Sequence, residues 1–431
     1  MFFQEFSNKN KEIQNKLLLF LDKEEDIEEN FTNLIDLFTR YKILANQHEL
    51  KSLLYLISNI SNNHYQAPCF ISKIERLLQY LKEDIKKNFS NLKIFDIFKN
   101  SKSTLLILIE QEIMNFDLSI LRRISSKKYF NRSYYHFFFP EIQPVIENGP
   151  ISVSKIDTFN YNDDDNSSDE SNDDDDTNYD DNSNDDNDYD IDEDYQDSIY
   201  WFYGGKKFEI FYNKFSNKLP DNFLKQRKIG QNENHICKLI REDLISEFIT
   251  YVNQNNYPLN SQIPKSIYET NSLLTKIKPT LIEYAAFFGS IQIFKYLYLN
   301  KVDLKPSLWI YGIHSAHPEI INILEENHIQ PKDETYFECI KEAIKCHHND
   351  VANYIRNNYL NEKVYNIEKN FKENIYSYSF HYYNYSYFPK ELNNHFEIFY
   401  ACKYDYYLIV EDLIKTKRID LEEKIVYNYN N

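Results

Sequence analysis

The chain has 431 residues, of which 42% are hydrophobic and 16% aromatic, so it is long and apolar enough for two or three domains with packed cores. Only 6 residues are Gly, which disfavours Gly-rich phosphate loops and β-rich folds with many tight turns. The formal net charge is −18, but residues 163–197 alone carry 19 acidic and no basic residues. Without these 19 negative charges the rest of the chain has a net charge of −18 + 19 = +1, so the acidity is confined to this segment.

The five Cys residues are an odd number without a C-x-x-C spacing. This pattern is typical of reduced thiols in an intracellular protein rather than of a disulfide framework. The first residues show no signal region, and apolar runs such as Leu105–Ile109 fall far short of the roughly 20 residues that a membrane helix needs. We therefore expect a soluble, cytoplasmic protein with no membrane partner, and the sequence does not separate cytoplasm from nucleus.

Residues 1–127 are predicted to form a helical domain. Apolar residues recur there at helical spacing, and Asn/Ser clusters such as Ser58–Asn63 and Asn100–Ser103 interrupt the pattern. The periodic segments are Ile13–Leu21, Phe31–Phe38, Leu53–Ile60, Ile74–Ile85 and Leu92–Ile109. Each segment is amphipathic, so each is expected to bury an apolar stripe against a neighbouring helix.

Two connectors are less informative. Residues 128–160 contain the aromatic run Tyr134–Pro140, which fits a strand, a helix end or a packing plug, and which we interpret as core rather than as a binding patch. In residues 199–231, Gly204 and Gly205 lie between two aromatic runs, a pattern that predicts a hairpin turn.

Residues 161–198 are a low-complexity Asp/Asn/Ser segment, which we predict to be a disordered linker because like charges repel and little apolar surface is available to bury. A functional alternative is an electrostatic tether. Ser167, Ser171 and Thr177 each have an acidic residue three positions on, so they are candidate sites for an acidophilic kinase. An EF-hand calcium loop is disfavoured because the Gly and the distal Glu of that loop are missing.

Residues 232–425 contain a repeated pattern, followed by a tail at 426–431. The clearest copy is Thr280–Leu304, which predicts a short apolar helix, a turn at Gly289 and a second apolar helix. Equivalent turn positions recur at Ala316, His347 and Asp405, with the last interval about twice the others. We therefore expect a degenerate copy within residues 364–388 and a first copy or cap within residues 236–249. Such pairs need neighbours to cover their apolar faces.

The segments TLIEYAAFFGSIQIFKYL, SLWIYGIHSAHPEIINILEENHIQP and IKCHHNDVANYI resemble the divergent ankyrin-repeat proteins that are expanded in trichomonad protists, a family with a domain of unknown function beside ordinary ankyrin repeats. The resemblance covers Ile236 to about Leu421 and extends loosely to the N-terminal helices. It implies an all-α protein with a short helical solenoid and a protein-binding role, without enzyme activity. Leu281 and Glu283 stand where the ankyrin pattern usually has Pro and His.

No catalytic, metal or cofactor site is predicted. A group of Cys and His residues has the chemistry of zinc ligands, but its spacing matches no common zinc framework and the repeat pattern explains it as packing. The group consists of Cys339, Cys346, His347 and His348, with His314, His317 and His328 in the preceding repeat. The glycines form no phosphate-binding motif. The basic run Arg122–Lys128 is interpreted as a solvated helix end, so no nucleic-acid partner is expected.

The predicted function is a non-catalytic scaffold that binds an unidentified protein through the concave face of the solenoid. In ankyrin geometry that face is formed by residues late in the first helix and at its turn. The candidate binding residues are Phe287, Phe288, His314, Ser315, Lys345, Lys403 and Tyr404, with Cys346 beside Lys345. The alternative for the Phe pair is packing. The alternative function is a regulatory or inhibitory subunit in which residues 161–198 mask a basic surface. The oligomeric state is not predicted.

Overall fold

The computed structural model describes residues 2–64, 69–125, 132–147, 219–360, 367–392 and 395–416. Within these ranges it has 22 α-helices and two short 3-10 helices, and no strand, so the predicted all-α class is confirmed. Gln262 and Thr280 form an isolated antiparallel bridge. The described residues of Met1–Asn115 and Pro220–Asn431 form one compact unit, and those of Phe116–Leu219 form a second.

Six helices make up the N-terminal part of the first unit. They are α1 (Phe2–Asp22), α2 (Ile27–Arg40), α3 (Gln47–Asn63), α4 (Phe70–Asn88), α5 (Asn91–Phe98) and α6 (Lys102–Glu110). Asn46 and Ser90 cap α3 and α5 through their side-chain oxygens. Ser101 caps α6 in the same way, which explains why the predicted segment Leu92–Ile109 is two helices.

The second unit contains α7 (Leu118–Ser125), α8 (Arg132–Phe137) and α9 (Phe139–Glu147). The aromatic run is helical here, so the strand interpretation of this run was wrong. Its aromatic side chains are buried, as in a packing plug, and Phe116 contacts Phe138 with ring centroids 5.7 Å apart. Aromatic rings carry much apolar area, so this run supplies the core of the unit.

The C-terminal part of the first unit consists mainly of successive helical pairs, which we label A to F. Pair A is α11 (His235–Arg241) with α12 (Ile245–Gln254), and pair B is α14 (Leu281–Phe288) with α15 (Ile291–Leu299). Pair C is α16 (Leu308–Ser315) with α17 (Pro318–Glu326), and pair D is α18 (Phe337–Lys345) with α19 (Asn349–Tyr359). Pair E is α20 (Ile367–His381) with the 3-10 helix Tyr385–Tyr387, and pair F is α21 (His395–Lys403) with α22 (Tyr407–Lys415). Helices α10 (Phe223–Ile229) and α13 (Ser272–Lys276) lie outside the pairs. The first helix of each pair packs against the first helix of the next, all along the series.

The four turn positions aligned in the sequence, Gly289, Ala316, His347 and Asp405, all lie between the two helices of a pair and all have φ between 53° and 67°. Asp243 in pair A and Tyr383 in pair E share this left-handed conformation, with φ of 48° and 54°. The amide following the turn residue then bonds back to the first helix, for example Ser290 N–H to Ala285 O at 2.9 Å. This bond satisfies a carbonyl at the helix end.

Apolar first helices hold neighbouring pairs together. Ala285 and Ala286 are fully buried, and the indole of Trp309 is buried with its Nε1–H donating to the carbonyl of Ile329 at 2.6 Å. Glu283 accepts a bond from the backbone N–H of Thr280 at 2.7 Å and another from the Ser307 hydroxyl. The carboxylate of Glu283 therefore connects pair B to pair C.

The N-terminal helices contact the array near its start, near its end and at the turn of pair D, where His64 bonds the carbonyl of Cys346. Near its start, Ser103 Oγ lies 3.1 Å from Thr270 Oγ1, and Lys228 Nζ lies 2.9 Å from a Glu110 carboxylate oxygen. Near its end, α1 packs on the 3-10 helix of pair E and α3 packs on α22. The ring of His48 stacks on that of Tyr407, with centroids 3.8 Å apart.

Candidate functional site

A compact group of potential metal ligands lies where pair C meets the turn of pair D. Cys346 Sγ lies 3.3 Å from His314 Nδ1 and 3.4 Å from Glu342 Oε1, and these two atoms are 3.5 Å apart. All three side chains are buried. We name His314, Glu342 and Cys346 the buried triad. His314 lies in the last turn of α16 in pair C, whereas Glu342 lies in the last turn of α18 and Cys346 directly follows that helix. Stacking of the two pairs therefore creates the group.

Burial controls protonation in the buried triad. Burial lowers the pKa of His314, which favours the neutral imidazole. Burial acts to raise the pKa of Glu342, but the charge of Lys345 and the proximity of His314 hold that pKa well below its usual value. Burial raises the pKa of the Cys346 thiol well above its ordinary value, and the Glu342 charge adds to the shift. Without a metal, Cys346 is therefore a thiol and not a nucleophilic thiolate.

Groups around the buried triad hold it in place. Lys345 Nζ lies 3.1 Å from Oε2 and 3.3 Å from Oε1 of Glu342, so it holds both carboxylate oxygens. The ring of Phe287 stacks on His314 with centroids 4.0 Å apart and planes 13° apart. His348 Nε2 donates to the carbonyl of His314 at 2.9 Å. The orientations of His314 and Glu342 are therefore set by pairs B, C and D together.

Two further histidines lie at the same turn. His64 of the N-terminal part bonds through Nδ1 to the carbonyl of Cys346 at 2.6 Å and through Nε2 to Asp22 at 2.8 Å. His347 is buried, and neither of its ring nitrogens forms a well-aligned hydrogen bond with a residue that the structure describes. Burial lowers the pKa of His347 to about 3, so its ring is neutral at ordinary pH.

Three of the predicted partner-binding residues are engaged within the chain. Phe287 and His314 are buried and stack on each other, as described above. Lys345 is half-buried and forms its ion pair with Glu342. The packing alternative for Phe287 therefore has a direct contact in its favour.

The remaining predicted residues are half-buried. Phe288 contacts the rings of Tyr284 and Phe287, with centroids 4.8 Å and 4.9 Å away. Ser315 donates to the carbonyl of Gly312 at 3.1 Å. Lys403 and Tyr404 lie in a surface group of rings that we name the aromatic patch, and it consists of His381, Tyr382, Phe399, Tyr400, Lys403 and Tyr404.

A ladder of side-chain bonds, not predicted from the sequence, connects the turns. In pairs B, D, E and F, the side chain of the residue after the left-handed position donates to a carbonyl near the end of the preceding first helix. Such carbonyls have no partner within their own helix. The bonds are Ser290 Oγ to Ile240 O at 2.5 Å, His348 Nε2 to His314 O at 2.9 Å, Asn384 Nδ2 to Ile344 O at 2.9 Å and Tyr406 Oη to Phe380 O at 2.9 Å. The polar residue that follows each aligned turn position was the available signal.

The sequence also missed a polar network around Asp405. Its carboxylate forms an ion pair with Lys51 and lies 3.4 Å from both Lys93 Nζ and the hydroxyl of Tyr55. A cleft of 320 Å³ lies beside this network, lined by Gln47, His48, Lys51, Asn88, Phe89, Ser90 and Lys93. Nothing in the local sequence pairs Asp405 with residues more than 300 positions away.

Several predictions lie outside the described residues. They are the disorder of the acidic segment, the candidate phosphorylation sites Ser167, Ser171 and Thr177, the hairpin at Gly204 and Gly205, and the tail at 426–431. Among the helices that the structure describes, none combines the length and the apolar character needed to span a bilayer.

Comparisons with family models, with curated proteins and with solved structures each found no match. The resemblance to trichomonad ankyrin-repeat proteins therefore stays a prediction.

Proposed function

We propose that this chain is a non-catalytic scaffold for protein binding, in which pairs A to F act as an ankyrin-like solenoid. Support for the solenoid comes from the regular stacking of first helices and from the left-handed residue at the turn of every pair. Each pair contacts its neighbours in the series, which is how repeat proteins present an extended surface to a partner.

The aromatic patch is the observation that carries the proposal. The rings of His381 and Tyr404 stack with centroids 4.7 Å apart, and those of Tyr400 and Tyr404 with centroids 5.8 Å apart. Lys403 Nζ lies within 6.0 Å of the ring centroids of Phe399, Tyr400 and Tyr404. Rigid, half-buried Tyr residues are typical of binding hot spots because they offer large contact area at a low entropy cost.

The proposed binding face therefore centres on pairs E and F. Phe288, Ser315 and Lys345 occupy equivalent late positions on the first helices of pairs B, C and D and are also half-buried. These three residues extend the proposed face along the array, whereas Phe287 and His314 are buried and stack on each other beneath the surface.

Affinity capture from native cells with the full chain tests the proposal. Tyr404→Ala is expected to reduce recovery of a reproducible partner at least tenfold, because one hot-spot ring is worth about 2 kcal/mol or more. Tyr80→Ala is the matched control, since Tyr80 is an exposed tyrosine in the N-terminal part. Equal loss with both variants, or no loss with Tyr404→Ala, contradicts the proposal.

Deleting residues 161–198 separates the alternative of an acidic regulatory tether. Capture that survives the deletion and is insensitive to salt supports binding by the aromatic patch. Capture that disappears on deletion and weakens steeply with salt supports the tether instead, because contacts between exposed charges are screened.

A further inference from the structure

We propose that His314 Nδ1, Glu342 Oε1 and Cys346 Sγ of the buried triad form a binding site for a divalent metal of the zinc class. The proposal does not depend on the proposed function. Imidazole, carboxylate and thiolate are the three kinds of side chain that bind zinc in proteins. The spacing of the Cys and His residues along the chain had argued against such a site, but the ligands come together through the stacking of pairs C and D.

The distances within the buried triad suit a tetrahedral metal. Metal–ligand bonds of about 2.0–2.3 Å at tetrahedral angles place neighbouring ligand atoms roughly 3.3–3.6 Å apart. The three separations here are 3.3 Å, 3.4 Å and 3.5 Å. A metal therefore fits on the triad with only small side-chain movements, and it would replace weak hydrogen bonds to sulfur.

The surroundings also suit a metal site. Metal-bound carboxylates are usually held by an outer group that orients them. Lys345 has this role for Glu342, since its Nζ lies 3.1 Å from Oε2 and 3.3 Å from Oε1, while Oε1 also faces His314 and Cys346. The triad provides three ligands, and a water molecule would complete the coordination.

Binding requires one proton to leave. Glu342 is ionised and His314 is neutral, so only the Cys346 thiol must lose its proton, which passes to solvent as the Sγ–metal bond forms. The bound metal would connect α16 to the turn of pair D. Its expected role is structural, because all three ligands are buried.

Cobalt titration of the full-length chain tests the site. After removal of metals with a chelator, Co²⁺ is added and the sulfur-to-cobalt charge-transfer absorption is followed; we expect saturation at about one equivalent and loss of the band on adding Zn²⁺. Cys346→Ser is expected to abolish the band. Cys402→Ser is the matched control because it removes an exposed thiol outside the triad, and it should leave the band unchanged.

A second measurement needs no variant. The wild-type chain, purified without chelator, is expected to retain about one equivalent of zinc after gel filtration, and the chelator should lower its melting temperature. The proposal is overturned if the folded wild-type chain retains no zinc and gives no cobalt band. It is also overturned if a folded Cys346→Ser chain, judged by circular dichroism, keeps the band.

Discussion

Asn384 donates from Nδ2 to the carbonyl oxygen of Ile344, 2.9 Å away, and so connects pair E to the last turn of the first helix of pair D. The same nitrogen donates to Oδ1 of Asn349 at 2.8 Å, and Oδ1 of Asn384 accepts from Gln14 Nε2 at 3.2 Å. Asn384 is fully buried. One amide therefore joins three separate parts of the first unit.

Asn384→Ala is expected to lower the free energy of unfolding by about 2–4 kcal/mol, because it leaves several buried donors and acceptors without partners. Asn358→Ala is the control, since Asn358 is exposed and its Nδ2 donates to the carbonyl of Tyr354 in the same helix. That control is expected to change stability by less than about 0.5 kcal/mol. Denaturant unfolding measures both, and similar values for the two variants would contradict the structural role of the ladder.

Exchanging the turn residues of pairs B and C should have opposite effects. Gly289→Ala is expected to cost about 1 kcal/mol, because a Cβ at φ of 67° is strained while its nearest neighbour, Ser315 Cβ, would be at an ordinary 3.5 Å. Ala316→Gly is expected to stabilise by about 0.5 kcal/mol, since relief of strain exceeds the added entropy of the unfolded chain. Thermal unfolding measures the change in melting temperature of each variant. Two changes of the same sign would contradict the role assigned to the left-handed turn residues.

Asp405→Asn tests the contact between pair F and the N-terminal part. The amide suits the left-handed backbone but removes the charge that neutralises Lys51 and Lys93. We expect a loss of about 1–2 kcal/mol and faster hydrogen exchange in α3 and α22. Asp303→Asn, at an exposed position, is the control. Unchanged exchange in α3 would show that Asp405 does not hold the two parts together.

Burial of Lys102 leads us to expect an unusual pH dependence of the free energy of unfolding. Burial lowers its pKa to about 8, against the opposing charge of Glu269, whereas an unfolded lysine titrates near 10.4. Between these values the unfolded chain binds more protons, so the contribution of Lys102 to stability rises as pH increases from about 8 to about 10.

Lys102→Met is expected to remove this rise and to increase stability at pH 7 by about 1–3 kcal/mol. Lys225→Met, at an exposed position, should leave the pH profile unchanged. Urea unfolding at a series of pH values measures both variants. A wild-type profile that falls steadily from pH 8 to pH 10 would contradict the expected contribution of Lys102.

Structural features formed by residues close together in the sequence were predictable. Helical periodicity identified the N-terminal helices, because each buries a single stripe of its own residues. The turn positions were recognisable because Gly289 defines a frame that Ala316, His347 and Asp405 share. Pair E is less obvious, since Tyr383 replaces a small residue at its turn.

Features formed by distant residues were not predictable. The sequence drew attention to His314 and Cys346 but not to Glu342, which a helical pattern assigns to an ordinary charged face. The stacking of two pairs creates the buried triad, and the same reasoning applies to Asp405 and its lysines. In both places the partner of a polar residue depends on tertiary geometry, which local spacing does not encode.

The contacts of the N-terminal helices with both ends of the array limit how this protein can evolve. An open repeat array accepts another unit almost anywhere, because each unit touches only its neighbours. Here an added pair would separate the Ser103–Thr270 contact from the Asp405–Lys51 contact, which the same group of helices makes. Duplication or loss of one pair would therefore break one of the two junctions, so the number of pairs should stay constant among descendants of this chain, and the first unit should unfold as a whole rather than pair by pair.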